Sequence, residues 1–283
     1  MLQVHGVQEQ AQRIIQTYEW GDVVWHVWGA QIPPPLSPRG AETTAPLVLL
    51  HGGSGSWTHW VRNVEHIAQY RPVWALDLPG FGDSSLPNGV SDADGLVPYV
   101  AQILERTFWG ISVDVMGFSF GGMTAGLVAA SHPELIREMV LVGVPGLGLF
   151  GRDLPMRGMT LDMDERAQRE VHRHNLAQMM LTNVSSVTDE VIDLQQANVS
   201  RDRMRRRRIA RTDVLAQAQS RWLCPVHGVW GAQDALYAGT LSQVPQVLSR
   251  LKSFTVIPDA GHWVMFERAE AFHAVVDPLL MRR

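Results

Sequence analysis

The chain has 283 residues, 46% hydrophobic and 18% charged, which is too apolar for disorder and long enough for one large domain or a domain carrying an insertion. Its 24 basic and 28 acidic residues leave a net charge of −4, so there is no electrostatic reason to bind nucleic acid or an anionic membrane. The single cysteine, Cys224, excludes an intramolecular disulfide framework and a multi-cysteine zinc site.

The first 16 residues lack the basic start and apolar core of a secretory signal, and no apolar run approaches the roughly 18 residues that span a bilayer. The expectation is a cytoplasmic protein that acts on a small molecule, without nucleic-acid or membrane partners and compatible with a homodimer.

Short apolar bursts at 23–28, 47–50, 73–76, 111–116, 139–144, 226–230 and 254–257 predict strands. Amphipathic stretches at 57–70, 93–108, 120–131, 241–251 and 266–280 predict the helices between them. Leu47-Val48-Leu49-Leu50 is apolar on both faces, as a strand covered on both sides should be. Pro33-Pro34-Pro35 and Gly40 mark a loop between the first two strands. The alternation implies an α/β fold, a mostly parallel central sheet with helices on both faces. It breaks from 146 to 221, where helices over 184–193 and 197–214 are predicted and no strand is. That block reads as a helical cap inserted into a core made of 1–145 and 222–283.

The chemistry centres on Gly117-Phe118-Ser119-Phe120-Gly121-Gly122, which follows a predicted strand and opens a predicted helix. That is the context of a G-x-S-x-G nucleophile elbow, where glycines leave room for a sharp strand-to-helix turn that exposes the serine. The amino end of the helix favours negative charge developing there. A serine hydroxyl is a weak nucleophile and needs a base, which in turn needs an orienting carboxylate.

His262, in Asp259-Ala260-Gly261-His262-Trp263 after the last predicted strand, is the candidate base; the other ten histidines read as core or surface residues. Asp234, in the loop after the strand at 226–230, is the candidate acid. The end of the preceding strand, Gly143 to Gly148, has no carboxylate, and Asp259 remains as a rival on the histidine's own loop. An oxyanion hole would use the backbone N–H of Phe120 and of Gly53, in His51-Gly52-Gly53-Ser54-Gly55. A phosphate cradle is excluded there because no G-K-[ST] follows. This chemistry requires no metal and no organic cofactor.

These residues, together with Asp77-Leu78-Pro79-Gly80-Phe81-Gly82-Asp83-Ser84, resemble the α/β-hydrolase superfamily over almost the whole chain. The resemblance makes the Asp77–Ser84 stretch a structural turn rather than a catalytic one. Gly261-His262-Trp263, Phe266-Glu267 and Phe272-His273 resemble the ending of the carbon–carbon hydrolases of aromatic ring-cleavage products. That subgroup carries asparagine where this chain has Phe118. It also has a carboxylate-binding cap arginine whose local match falls near Gln195 and Gln196.

The expected activity is therefore serine-dependent cleavage of a carboxylic ester or related acyl bond of an apolar, or aromatic, small molecule. Carbon–carbon hydrolysis, acyl transfer and a non-catalytic ligand receptor are the alternatives on the same frame. Ser54, Phe118 and Trp263 are candidate pocket residues. Trp57, Trp60 and Trp230 read as core, and Met156, Met159, Met163, Met179 and Met180 suit the apolar underside of a cap. The run Arg205-Arg206-Arg207-Arg208, taken as helix, spreads its side chains about 100° apart and turns most of them to solvent, with attraction of an acidic substrate as its one functional reading.

Overall fold

The computed structural model describes residues 4–29, 45–149, 151, 153–160, 162–205 and 207–280. The loop expected around Pro33-Pro34-Pro35 and Gly40 lies outside them, as does Arg206. Among the described residues, eight strands form one sheet: β1 (Gln12–Tyr18), β2 (Gly21–Trp28), β3 (Leu47–Leu50), β4 (Val73–Leu76), β5 (Val113–Phe118), β6 (Ile136–Val142), β7 (Val226–Gly231) and β8 (Leu251–Ile257). Their order is β1-β2-β4-β3-β5-β6-β7-β8. The hairpin β1–β2 and the β2–β4 pair are antiparallel, and every later pair is parallel.

The side-chain alternation of β3 shows why the strands are apolar throughout. Leu47 and Leu49 enter one core with Trp60, Val64 and Phe272, while Val48 and Leu50 enter the opposite core with Val100, Leu104 and Val128. The helices Ala93–Phe108 and Phe120–Ser131 cover the second face; Val64–Ala68 and Ala269–Leu280 cover the first. Both faces are dry, so neither can carry an alternating polar pattern.

Several boundaries differ from the sequence expectation, each for a local reason. β1 was not anticipated: as an edge strand it exposes Gln12, Arg13 and Ile15 and buries only Tyr18, so it lacks an apolar run. The stretch 57–70 breaks into Trp57–Trp60 and Val64–Ala68 around Asn63, whose amide nitrogen donates to the Met265 carbonyl at 3.0 Å. The stretch 266–280 divides into Val264–Glu267 and Ala269–Leu280. The stretch 241–251 gives only two short turns before Leu251 enters β8.

Between β6 and β7 no strand occurs among the described residues. This segment carries the helices Glu165–Asn175, Asp189–Ser200 and Val214–Ala218. The first of these was missed; Asp164 opens it by accepting the Ala167 amide at 2.7 Å. The helix expected over 197–214 does not form, and with it goes the helical arginine run. The chain leaves the helix at Arg201, where one tertiary partner and one local side-chain partner replace helical ones. The Arg203 amide donates to the Gly80 carbonyl at 2.9 Å, and the Asp202 carboxylate accepts the Met204 amide at 2.8 Å. No helix among the described residues is long and apolar enough to cross a membrane.

Candidate active site

Ser119 sits between β5 and the helix Phe120–Ser131 with φ 49° and ψ −117°, a positive-φ conformation that a non-glycine residue rarely adopts. Its amide donates to the Val142 carbonyl of β6 at 2.8 Å, which pins the turn to the sheet. Gly121 makes the turn possible: a Cβ there would lie 2.4 Å from the His51 carbonyl oxygen and 2.6 Å from that of Leu50. Only a hydrogen fits where the helix starts so close to β3.

His262, 2% exposed, approaches the hydroxyl from the loop after β8, with Nε2 2.9 Å from Ser119 Oγ. Its Nδ1 donates to Asp234 Oδ2 at 2.8 Å, and Asp234 Oδ1 accepts the Leu236 amide at 3.0 Å. Asp234 is likewise 2% exposed, in the turn that follows β7. Gly143 passes behind the pair with φ +55°, and a Cβ there would stand 3.2 Å from both Asp234 Oδ2 and His262 Nδ1. Asp259, the rival acid, points outward with a 73% exposed side chain and faces Arg268 at 3.5 Å. The structure thus brings together Ser119, His262 and Asp234 and leaves Asp259 apart.

The loop after β3 is held by two histidines. His51 Nδ1 donates to the Gly52 carbonyl at 2.8 Å, while its Nε2 accepts the Leu78 amide at 3.0 Å. His59 Nδ1 accepts the Gly52 amide at 3.1 Å. Burial lowers the proton affinity of both rings, most strongly in His59, so each is a neutral hydrogen-bonding strut. Gly52 is consumed by these contacts. The amides of Gly53 and Phe120 have no partner among the described residues, and both residues line a cavity of about 480 Å³ together with Ser119 and His262. A larger hollow of about 670 Å³ lies on the outer side of Asp234 and Gly261 and does not reach Ser119.

Of the three expected pocket residues, Ser54 and Phe118 line the cavity and Trp263 does not. Trp263 is fully buried, stacks on Phe266 at 4.1 Å between ring centres and donates its indole N–H to the His59 carbonyl at 2.8 Å. Adjacency to His262 misled because its side chain turns into the sheet-side core. Phe118 packs its ring 4.9 Å from that of His262, giving the imidazole an apolar backing with no hydrogen bond.

The arginine run departs most from its expected role. Arg207 faces inward: Nη1 donates to Asp202 Oδ2 at 2.9 Å and to the Met204 carbonyl at 2.7 Å, and Nη2 donates to Ser54 Oγ at 2.9 Å. Ser54 in turn donates to Asp202 at 2.6 Å. Its guanidinium lies 3.3 Å from where a Cβ on Gly53 would be. The segment between β6 and β7 is therefore bolted onto the loop that carries Gly53.

Glu267 makes a second bolt, accepting the Gly261 amide at 2.7 Å and the Thr182 amide at 2.9 Å. His172, read from the sequence as an ordinary buried or surface histidine, also lines the cavity, as does Gln195. The sequence carried no signal for either Arg207 or His172, since both depend on how separate segments meet. Of the methionines, Met156, Met159, Met179 and Met180 line the cavity.

A serine, a histidine and an aspartate in hydrogen-bonded series, on the carboxyl side of parallel strands β5, β7 and β8, define the site of an α/β-hydrolase. Residues 47–275 match the model of the Alpha/beta hydrolase family, and the chain belongs to that family. Among its curated relatives, the dihydrolipoyllysine-residue acetyltransferase component of the acetoin cleaving system of Pseudomonas putida is 29% identical over 242 residues, 82% of this chain and 62% of that protein. The chain thus spans about three-fifths of that relative's length.

The 2-hydroxy-6-oxononadienedioate/2-hydroxy-6-oxononatrienedioate hydrolase of Cupriavidus pinatubonensis is 28% identical over 267 residues, covering 84% of this chain and 86% of that one. In fold the chain is similar to a serine hydrolase from the polyaromatic hydrocarbon-degrading bacterium Cycloclasticus zankles, with a TM-score of 0.72 at 16% identity over 95% of this chain and 97% of the other.

Proposed function

We propose that the protein is a serine hydrolase that cleaves a carboxylic ester of a largely apolar small molecule through an acyl-enzyme, with residues 146–221 as the cap over its pocket. The observation that carries this reading is the series Ser119 Oγ, His262 Nε2 at 2.9 Å, and His262 Nδ1 to Asp234 Oδ2 at 2.8 Å. Asp234 keeps the proton on Nδ1, which leaves the Nε2 lone pair facing the hydroxyl.

Ser119 Oγ then attacks the carbonyl carbon as His262 takes its proton. The Gly53 and Phe120 amides receive the charge that develops on the carbonyl oxygen. Collapse breaks the ester C–O bond, and His262 returns the proton to the departing alcohol. Water, deprotonated by His262, attacks the acyl-Ser119 ester; the acyl C–O bond to Oγ breaks, His262 returns the proton to Ser119 Oγ, and the acid is released.

The apolar character follows from the walls: Leu154, Met156, Val171, Leu176 and Met179 face the space opposite Ser119. A panel of 4-nitrophenyl esters tests the reading. Turnover should show a burst of released phenol equal to the enzyme concentration, and Ser119→Ala should remove it; wild-type rates in that variant, or a fluorophosphonate label elsewhere than Ser119, overturn it.

A second reading is favoured by the similarity to the Cupriavidus dienedioate hydrolase, which extends over most of both chains. Carbon–carbon hydrolysis would appear as turnover of a coloured ring-cleavage dienoate faster than of any aryl ester. The residue contents of the pocket weigh against it. Phe118 offers no hydrogen bond beside the nucleophile, and Gln195, near which the local match to that subgroup's arginine falls, is neutral, while the arginines that do line the cavity are Arg157, Arg207 and Arg211.

A further inference from the structure

The cavity above Ser119 is walled by apolar side chains together with Arg157, Asn175 and Arg211, and two further polar residues that face it, Gln195 and His172, make no side-chain hydrogen bond among the described residues. Gln195 comes from the helix Asp189–Ser200 and His172 from the helix Glu165–Asn175, and the two helices pack against each other. Both side chains line the same space as Ser119. Gln195 Oε1 is buried and accepts no hydrogen bond. His172 is 3% exposed, and neither ring nitrogen has a hydrogen-bond partner among the described residues.

The two neighbouring asparagines are already bonded. Asn198, one turn beyond Gln195, is bonded to Ser56 and Thr58, and Asn175 is bonded twice to the backbone of Arg157. A buried acceptor left unmade costs on the order of 1–3 kcal/mol, so Gln195 Oε1 facing the cavity is an expensive arrangement unless a ligand completes it.

We propose that Gln195 and His172 form a hydroxyl-recognising subsite in the roof of the pocket, so that the substrate is an apolar ester bearing an alcohol group remote from the scissile carbonyl. The assignment deepens the ester-hydrolase reading and rests on it. Complementarity selects the group. Burial, with Arg169 adding to it, lowers the proton affinity of His172, so its ring is neutral at pH 7 and offers one donor and one acceptor. Gln195 offers an acceptor oxygen and a donor nitrogen.

The partner that can give to Gln195 Oε1 and take from His172 at once is a group with both functions, which a hydroxyl has. A carboxylate only accepts, and would leave the Gln195 oxygen unpaired. A methyl group would leave both protein groups unpaired. Sites built to bond a substrate hydroxyl discriminate strongly against analogues that lack it, because the protein groups are then buried without partners.

The test uses the whole protein and 4-nitrophenyl esters of straight-chain acids that end in methyl, hydroxyl or carboxylate, over a range of chain lengths. At the length that reaches the roof, the hydroxyl ester should show kcat/KM about tenfold above the methyl ester, with the carboxylate ester below both. Gln195→Met, close to it in volume, should abolish that preference, bringing kcat/KM for the hydroxyl ester down to that for the methyl ester. His172→Phe should do the same, which guards against one variant failing to fold.

Equal rates for methyl and hydroxyl esters at every length overturn the proposal, as does a preference that survives both substitutions or a preference for the carboxylate. None of those results would touch the burst at Ser119, so failure of the subsite and failure of the hydrolase reading are separable.

Discussion

Asp234→Asn is the sharpest probe of the proposed mechanism, because the structure fixes what the amide must do. Asp234 uses its two oxygens differently: Oδ1 accepts the Leu236 N–H at 3.0 Å, and Oδ2 accepts the His262 Nδ1–H at 2.8 Å. The Leu236 amide can only donate, so the single oxygen of an asparagine must stay there. The NH2 group is then turned toward His262 Nδ1 and can be accommodated only if that nitrogen becomes the acceptor.

The imidazole proton moves to Nε2 and points at Ser119 Oγ, 2.9 Å away, so the ring can no longer take the hydroxyl proton. Fold and pocket are untouched, yet the base is in the wrong tautomer. A loss of about 10⁴ in kcat is expected, about 5.5 kcal/mol at 1.36 kcal/mol per tenfold. Stopped-flow measurement of phenol release from a 4-nitrophenyl ester, beside the melting temperature, reads both halves of the argument. Asp259→Asn, at the exposed rival position, should leave the rate within twofold of wild type. An Asp234→Asn protein that melts normally and retains more than a tenth of the wild-type rate would refute the reasoning.

Three further outcomes follow from the geometry. Arg207→Met strips Asp202, whose side chain is 4% exposed, of its cation and releases Ser54, so stability should fall by about 2 kcal/mol and kcat more than KM should suffer as the Gly53 amide loses its support; adding Asp202→Asn should restore much of the stability, and denaturant melts of the single and double variants check it.

Gly121→Ala would press a methyl group to 2.4 Å from the His51 carbonyl and should yield little folded protein on expression, whereas Gly89→Ala, where nothing lies within 4 Å of the added carbon, should cost at most the strain of its φ of +79°. Burial, with His66 adding to it, holds His273 down to about 4, below the 6.5 of an exposed histidine. The unfolded chain then binds the proton first, so stability is full above about pH 6.5 and drains as the pH falls toward 4. The melting temperature should drop between pH 7.5 and 5, and by less in His273→Gln; an equal drop in both would show that His273 does not contribute.

What the sequence disclosed and what it withheld divide along a physical line. The elbow, the histidine loop and the helices Ala93–Phe108 and Phe120–Ser131 were legible because each is set by neighbours in the chain: a glycine spacing, a strand before, a periodic apolar face in the first helix and an apolar run throughout the second. The family assignment rests on those same pieces, and the match over 47–275 agrees with them. Failures gathered where distant segments decide the outcome.

Propensity favoured a helix through the arginine run, but the Gly80 carbonyl and the Ser54 hydroxyl supplied partners from distant segments, Asp202 bent the chain locally by accepting the Met204 amide, and Arg207 turned toward the loop of Gly53. Trp263 adjoins the base in sequence and yet packs away from the cavity, because the next residue on a loop can face the opposite side of its wall. His172 and Gln195 are 23 positions apart on two helices, one of which was unanticipated, so their meeting in one roof could not be inferred from either.

The chemistry of the reaction is thus encoded locally and its selectivity is encoded by packing. A relative can keep the one while the other drifts, which is why the acetyltransferase component and the dienedioate hydrolase can both resemble this chain over more than four-fifths of its length. On that logic the substrate must be sought from the residues that line the roof. The group there that the fold leaves unpaired, the Gln195 amide oxygen, is where the proposed hydroxyl subsite is to be tested.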